Sequence, residues 1–383
     1  MLVTRTIAYQ LKKYSKQFPI LSVTGPRQSG KTTLIRSVFD DYTYANLEDP
    51  QTREFARSDP KNFIAQSQKM IIDEAQHIPE LFSYVQVSVD NDRNKKIILT
   101  GSQNFLLSKH IGQSLAGRVA VFTLLPFSFI ELRKKKYSVE EMIFTGGYPR
   151  IYENNIDPTI FHANYTQTYL ERDVEQLLDI KNKDAFLHFI KSVASNVGGL
   201  VNYSSLAAKV GIAPNTAKEW IGILKASYIV YTLTPYYRNI NKQVSKSSKL
   251  YFYDTGLLSY LLGIKSSQEI PHHYLYGALF ENFLISECVK HDKNYYEQKD
   301  LYFLRDSIGN EVDLFYSFQG KHYFIEIKST HTFHPVDAKG LRYFSELLDL
   351  SHSEKYILYR GKETQRQKDF TLMNWEDFIS SQT

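Results

Sequence analysis

Apolar residues follow two rhythms along this chain, and they change at recognisable places. In the first third, short apolar runs end in polar residues and alternate with helical patterns. Pro19–Thr24 is such a run; a glycine loop and a helix from about Lys31 to Phe39 follow it. Lys69–Asp73, Lys96–Thr100 and Val119–Leu124 repeat the pattern. Strands alternating with helices predict a parallel sheet with crossover helices, and such a sheet offers ligand sites at the carboxyl ends of its strands.

From about Asp157 to Gly198 the spacing becomes helical, through Tyr165, Tyr169, Leu177, Leu178 and Phe186. Tyr203–Trp220 then reads as helix–turn–helix, with Gly211 supplying the turn and Pro214 opening the second helix. Two β-rich stretches, Tyr228–Tyr236 and Lys249–Tyr253, complete the layout of a winged helix. The last third reads as a helix at about Tyr274–His291, strands near Leu301–Leu304, Glu311–Tyr316 and His322–Ile327, and a helix at Lys339–Leu348. The expected architecture is therefore α/β. A P-loop parallel-sheet domain (1–156) precedes a helical and winged-helix domain (157–265) and an α/β nuclease-like domain (266–383).

Composition narrows the classes. At 383 residues the chain exceeds one ordinary core. An apolar fraction of 43% and a charged fraction of 23% fit a globular protein. No apolar run approaches the roughly 20 residues that span a bilayer, so no membrane is expected. Lysines interrupt the N-terminal stretch where a secretion signal needs apolar residues. Cys288 is the single cysteine, which rules out an internal disulfide and makes the cytoplasm the default location. The net charge of +5 is uneven: residues 200–270 hold eight Lys or Arg against three acids, and the remainder balances. A local basic excess points to an anionic partner.

Gly25-Pro26-Arg27-Gln28-Ser29-Gly30-Lys31-Thr32 fits G-x-x-x-x-G-K-[ST], after a strand and opening a helix. Glycines let backbone N–H groups face phosphate oxygens, and the helix N-terminus adds partial positive charge. Gly25 to Thr33 is thus the expected ATP cradle. Lys31 would reach the β- and γ-phosphates and Thr32 would ligate Mg²⁺. In Met70-Ile71-Ile72-Asp73-Glu74, an apolar strand ends in two acids, placing Asp73 near magnesium and Glu74 where it can activate water. Ser102 and Gln103 end the next strand as γ-phosphate sensors, or simply close a glycine turn. Arg118, acting within this chain or on a neighbour, competes with Arg172 for an arginine finger, and either could instead form a salt bridge.

The stretches GPRQSGKTT, IIDEAQ, LTGSQNF, LAGR and TGGYPR resemble the AAA-type ATPase domain of a prokaryotic family whose carboxyl half is a domain of unknown function. TYLERDV, the helix–turn–helix and KLYFYDTGL look like the start of that carboxyl half, so the resemblance covers nearly the whole chain. It implies an ATPase and says little of cellular purpose.

In a winged helix the second helix enters the major groove and the hairpin touches the backbone. Asn215, Thr216, Lys218 and Glu219 begin that helix, and Arg238, Lys242, Lys246 and Lys249 line the hairpin with no acid between Tyr236 and Tyr251. Nucleic acid, most readily DNA, is the expected partner; a docking or lid role is the alternative. In the last third, alternation puts Glu326 and Lys328 on one strand face, and hairpin pairing would bring Asp313 to them. Two acids and a lysine so grouped suit metal-assisted phosphodiester hydrolysis. The arrangement resembles the PD-(D/E)XK nuclease core, which implies Asp313, Glu326 and, from the preceding helix, Glu281 as metal ligands, with Lys328 beside them. No proline precedes Asp313, a departure from that family's name. Two readings follow: an ATPase acting on nucleic acid with a nuclease-like domain, or a regulatory ATPase switch whose last domain is a non-catalytic docking scaffold. A homo-oligomer or protein partner fits either.

Overall fold

A computed structural model describes residues 3–101, 115–170, 183–236, 247–350 and 352–382. The N-terminal sheet holds β1 (Ile20–Thr24), β2 (Thr43–Asn46), β3 (Lys69–Asp73), β4 (Lys96–Thr100) and β5 (Val119–Thr123). Their order is β2-β3-β4-β1-β5, and every neighbouring pair is parallel. All five residues of β1 are buried, as in a strand covered on both faces. β2 escapes the sequence pattern because it is a four-residue edge strand with one buried position.

The turn after β1 requires glycine. Gly25 has φ +142°, and a Cβ there would lie 2.2 Å from the Leu124 carbonyl oxygen. Gly30 is left-handed at φ 87° and opens the helix Lys31–Val38.

Beyond β5, helices Lys183–Ala194, Tyr203–Val210 and Pro214–Ala226 pack around Trp220, whose ring meets Phe186 and Phe189 edge-on at 5.1 and 5.2 Å. Gly211, at φ 71°, ends the first helix of the helix–turn–helix, and Pro214 starts the second. The hairpin that follows is β6 (Val230–Pro235) and β7 (Lys249–Phe252).

That hairpin does not stand free. β6 pairs in parallel with β8 (Leu301–Arg305) through Thr234–Tyr302 and Pro235–Phe303. Both hairpin strands thereby extend a sheet continued by β9 (Glu311–Phe318), β10 (Lys321–Ile327), β11 (Ser353–Tyr359), β12 (Gln365–Arg366) and β13 (Thr371–Asn374). The order is β12-β13-β11-β10-β9-β8-β6-β7. Helix Lys339–Leu348 carries the chain from β10 to the parallel β11. A single apolar core runs from Leu125 and Phe127 through Trp220, Tyr251 and Phe283 to Phe378. The helix Tyr276–Tyr295 crosses that core and is buried along most of its length. Among the described residues no helix is long and apolar enough to cross a membrane.

Candidate nucleotide site and acidic cluster

The parallel sheet aims the carboxyl ends of β1, β3 and β4 at one place. Lys31 is buried there, and its Nζ donates to the carbonyls of Gly25 (3.0 Å) and Pro26 (2.9 Å). Burial pulls its ammonium down to about 8, against the opposing pull of Glu74 and Asp73. Ser29 Oγ is buried without a hydrogen-bond partner among the described residues. Thr32 Oγ1 donates to Asp73 Oδ2 at 2.7 Å, and Tyr44 OH donates to the same oxygen at 2.8 Å. Thr100, at the end of β4, donates to Asp73 Oδ1. Glu74 follows in a left-handed conformation, φ 54°, half-buried, and accepts from Gln76 Nε2. A non-glycine residue held at positive φ at a strand end is typical of functional sites. A hydroxyl and a carboxylate side by side next to a lysine fit a magnesium ion bound with phosphates, and an orphaned hydroxyl within the loop fits an incoming acceptor. Gly25 and Pro26 are buried, Arg27 and Gly30 half-buried, and Gln28 and Thr33 exposed.

A cavity of about 290 Å³ adjoins the loop, lined by Arg5, Ser29, Gly30, Leu34, Phe127 and Pro149. Arg5 forms its inner wall. Its guanidinium donates to the Ser29 carbonyl (3.2 Å), the Leu125 carbonyl (2.5 Å) and Glu131 Oε1 (3.1 Å), and lies 4.7 Å from the Phe127 ring centre. Pro149 approaches because Gly146-Gly147 is clamped: Asp254 Oδ2 accepts from Gly147 N at 2.7 Å, and a Cβ on Gly146 would lie 2.4 Å from Asp254 Oδ1. TGGYPR and FYDTG, far apart in the chain, therefore meet at the nucleotide loop. Tyr228, at φ 57°, closes another side, its OH 2.7 Å from Thr24 Oγ1.

The second assembly lies on β9 and β10. Ile325 pairs with Leu314, so Asp313 and Glu326 stand opposite each other on one sheet face. Asp313 Oδ2 accepts from Ile327 N at 2.8 Å, and Lys328 Nζ lies 2.7 Å from Glu326 Oε1. Glu281 joins from the helix Tyr276–Tyr295. Burial, then the Asp313 charge, pushes the Glu281 carboxyl up to about 7 and raises that of Glu326 well above the ordinary range. The cation among them is Lys249 of β7, whose Nζ lies 2.9 Å from Glu281 Oε1 and 3.4 Å from Asp313 Oδ1 and also touches Glu311. This corrects one sequence expectation: Lys249 is 2% exposed and unavailable to DNA. Its ammonium stands where the sequence suggested a divalent ion, and among the described residues no group of three or more His, Cys, Asp or Glu is arranged to hold a metal.

Arg118 is corrected only as a finger for this chain's own nucleotide, not as one acting on a neighbouring chain. It precedes β5, beside the start of β1, and forks onto Asp90 at 2.6 and 2.9 Å. Five strand residues, roughly 16 Å, separate it from the loop, so it cannot act on this chain's own nucleotide. Asn215, Lys218 and Glu219 are exposed on the first turns of Pro214–Ala226, with Thr216 half-buried. Ser102, Gln103, Arg172, Arg238, Lys242 and Lys246 lie outside the described residues. Sequence reasoning missed Arg5, Tyr44, Tyr228 and Asp254, and it read Lys249 only as a hairpin cation. Each acts through a long-range contact; Thr100, the polar last residue of an apolar run, was visible locally.

Comparison with known proteins locates three family matches: an AAA domain over residues 17–133, a domain of unknown function (DUF8612) over 136–268, and another (DUF4143) over 276–378. An uncharacterized protein of Mycobacterium tuberculosis is 31% identical over 365 residues, covering 94% of this chain and 80% of its own. One of Mycobacterium bovis matches equally. Among solved structures, a Walker-type ATPase of Pyrococcus abyssi aligns with a TM-score of 0.47 at 14% identity, over 68% of this chain and 96% of that one. With its AAA domain followed by two domains of unknown function, the chain belongs to the same family as the two mycobacterial proteins.

Proposed function

We propose that this protein is an ATP-hydrolysing switch that contacts nucleic acid, with its chemistry confined to the N-terminal domain. One observation carries the reading: a buried lysine held by loop carbonyls, beside a threonine hydroxyl bonded to the aspartate that ends β3. The carbonyls are weak partners for an ammonium, and phosphate oxygens are stronger ones. Lys31 turns from Gly25 and Pro26 to the β- and γ-phosphates, loop N–H groups cradle them, and the cavity walled by Arg5, Phe127 and Pro149 takes the base. Thr32 and Asp73 hold magnesium, which supplies charge neutralisation when bound. Glu74, fixed by Gln76, accepts the proton of the attacking water as its oxygen bonds the γ-phosphorus and the β,γ-bridging bond breaks, releasing ADP. The test is nucleotide binding and turnover: Lys31→Ala should lose both, and Glu74→Gln should bind and not turn over. Wild-type turnover by Glu74→Gln would remove the proposed base.

Nucleic-acid contact rests on the exposed Asn215 and Lys218 at the start of the second helix–turn–helix helix. Lys218→Ala should weaken binding equally for all sequences and reduce the salt slope by about 0.9; an unchanged slope leaves this helix to a protein partner. For the last domain the scaffold role is favoured over metal-dependent cleavage, because Lys249 fills the carboxylate cluster.

A further inference from the structure

Glu281, Asp313 and Glu326 converge as a metal-binding set would, yet each carboxylate already has partners. We infer that Lys249 is the built-in counter-ion of this cluster, and that the pair fastens the helix–turn–helix hairpin to a last domain closed to divalent metal. The inference stands apart from the nucleotide reading.

Backbone bonds fix where this ammonium can go. Val201 N donates to the Ser248 carbonyl and Gly198 N to the Leu250 carbonyl, both at 2.8 Å, while Leu250 N donates to Gly199 at 3.1 Å. Lys249 thus sits on a strand pinned on both flanks to the segment just ahead of the helix–turn–helix, and its side chain enters the cluster from there. Its three N–H donors match three carboxylates, Glu281, Asp313 and Glu311. Magnesium would need those oxygens at about 2.0–2.1 Å around a common centre, in the space the ammonium fills.

Further donors reach the same carboxylates, although Glu326 Oε2 is buried without a hydrogen-bond partner among the described residues. Tyr251 OH donates to Glu281 at 2.5 Å, Ile327 N to Asp313, Arg305 to Glu311 at 2.6 Å, and Lys328 to Glu326. Four acids therefore face three cations, Lys249, Arg305 and Lys328, each in direct contact with at least one of them. Most of the acids' charge is thus offset by side chains of the protein itself.

The test titrates nucleotide-free protein with Mn²⁺, following free Mn²⁺ by electron paramagnetic resonance, in wild type, Glu281→Gln, Lys249→Met and the double variant. Wild type and Glu281→Gln should be indistinguishable. Lys249→Met should gain a site on the order of tenfold tighter than any in wild type, and adding Glu281→Gln should abolish it. A stoichiometric Mn²⁺ site in wild type that Glu281→Gln loses would overturn the inference, as would a folded Lys249→Met that gains none. If Lys249→Met does not fold, the comparison of wild type with Glu281→Gln decides alone.

Discussion

Lys31 and Lys249 are both buried ammoniums, and their surroundings are opposite. Lys31 has two neutral carbonyl acceptors within hydrogen-bond reach, and burial pulls its pKa down to about 8. Burial alone would also lower Lys249, but Glu281, Asp313 and Glu311 outweigh it and hold that lysine above its ordinary value. A buried cation hydrogen-bonded to dipoles alone, with its nearest acids not in contact, is costly and ready to accept an anion; one in contact with carboxylates is satisfied and resists exchange. The contrast separates a site built to bind from a site built to hold.

Removing each lysine should break the comparison in opposite ways. Lys249→Ala strands three carboxylates around an empty centre, and loss of one partner of a buried ion pair costs about 3–5 kcal/mol. Lys31→Ala should change the stability of the nucleotide-free protein far less, because no ion pair is lost. Urea unfolding of both variants at pH 7 checks this; comparable losses would erase the distinction. Next in size is turnover. Glu74→Gln should reduce hydrolysis about 10²–10⁴-fold while nucleotide affinity stays near wild type, measured by equilibrium binding and phosphate release.

The difference between the two sites also explains what the sequence could and could not reveal. Gly25 to Thr32 are contiguous, so loop, helix start and lysine were legible together, as was Asp73 at the end of an apolar run. Asp313 and Glu326 were legible as a pair because strand alternation and a Gln319-Gly320 turn imply their register. Lys249 was read as part of a basic hairpin, since nothing local shows that β6 joins β8 and carries β7 into the acids. Arg118 looked like a finger because its distance from the loop depends on strand direction, not on spacing along the chain. The clamp of Asp254 on Gly146 and Gly147 joins segments more than one hundred residues apart, and no periodicity encodes such a contact.

The lowered Lys31 pKa gives a pH test with a definite sign. Only the ammonium form attracts phosphate, and bound phosphates raise its pKa above that of the free protein. Affinity should therefore be flat below about pH 8 and fall about tenfold per unit above it, until the pKa of the bound state is reached. No such fall is expected to arise from Lys249, whose proton is held more tightly than in water. Isothermal titration between pH 7 and 10 reads the profile directly. A fall beginning near pH 10 would mean that Lys31 is as well paired as Lys249.

The smallest effect concerns the link between the nucleotide loop and the rest of the molecule. Tyr228 OH meets Thr24 Oγ1 at 2.7 Å in a buried setting, one residue before Gly25. Tyr228→Phe removes the hydroxyl and keeps the ring, which packs edge-on against Tyr253. Thr24 Oγ1 keeps its own donation to the Phe122 carbonyl at 3.2 Å, so the variant leaves no buried donor stranded. The Tyr228 hydroxyl also bonds the Thr123 side chain, so the loss should be that of one or two neutral hydrogen bonds at about 0.5–1.5 kcal/mol each. If the contact serves only the fold, stability falls and nucleotide affinity does not. If it holds the carboxyl end of β1 in position for Lys31, affinity falls with it, because the loop begins at the next residue. Measuring both quantities on the same variant decides whether the helical region merely packs against the waiting lysine or helps keep it ready.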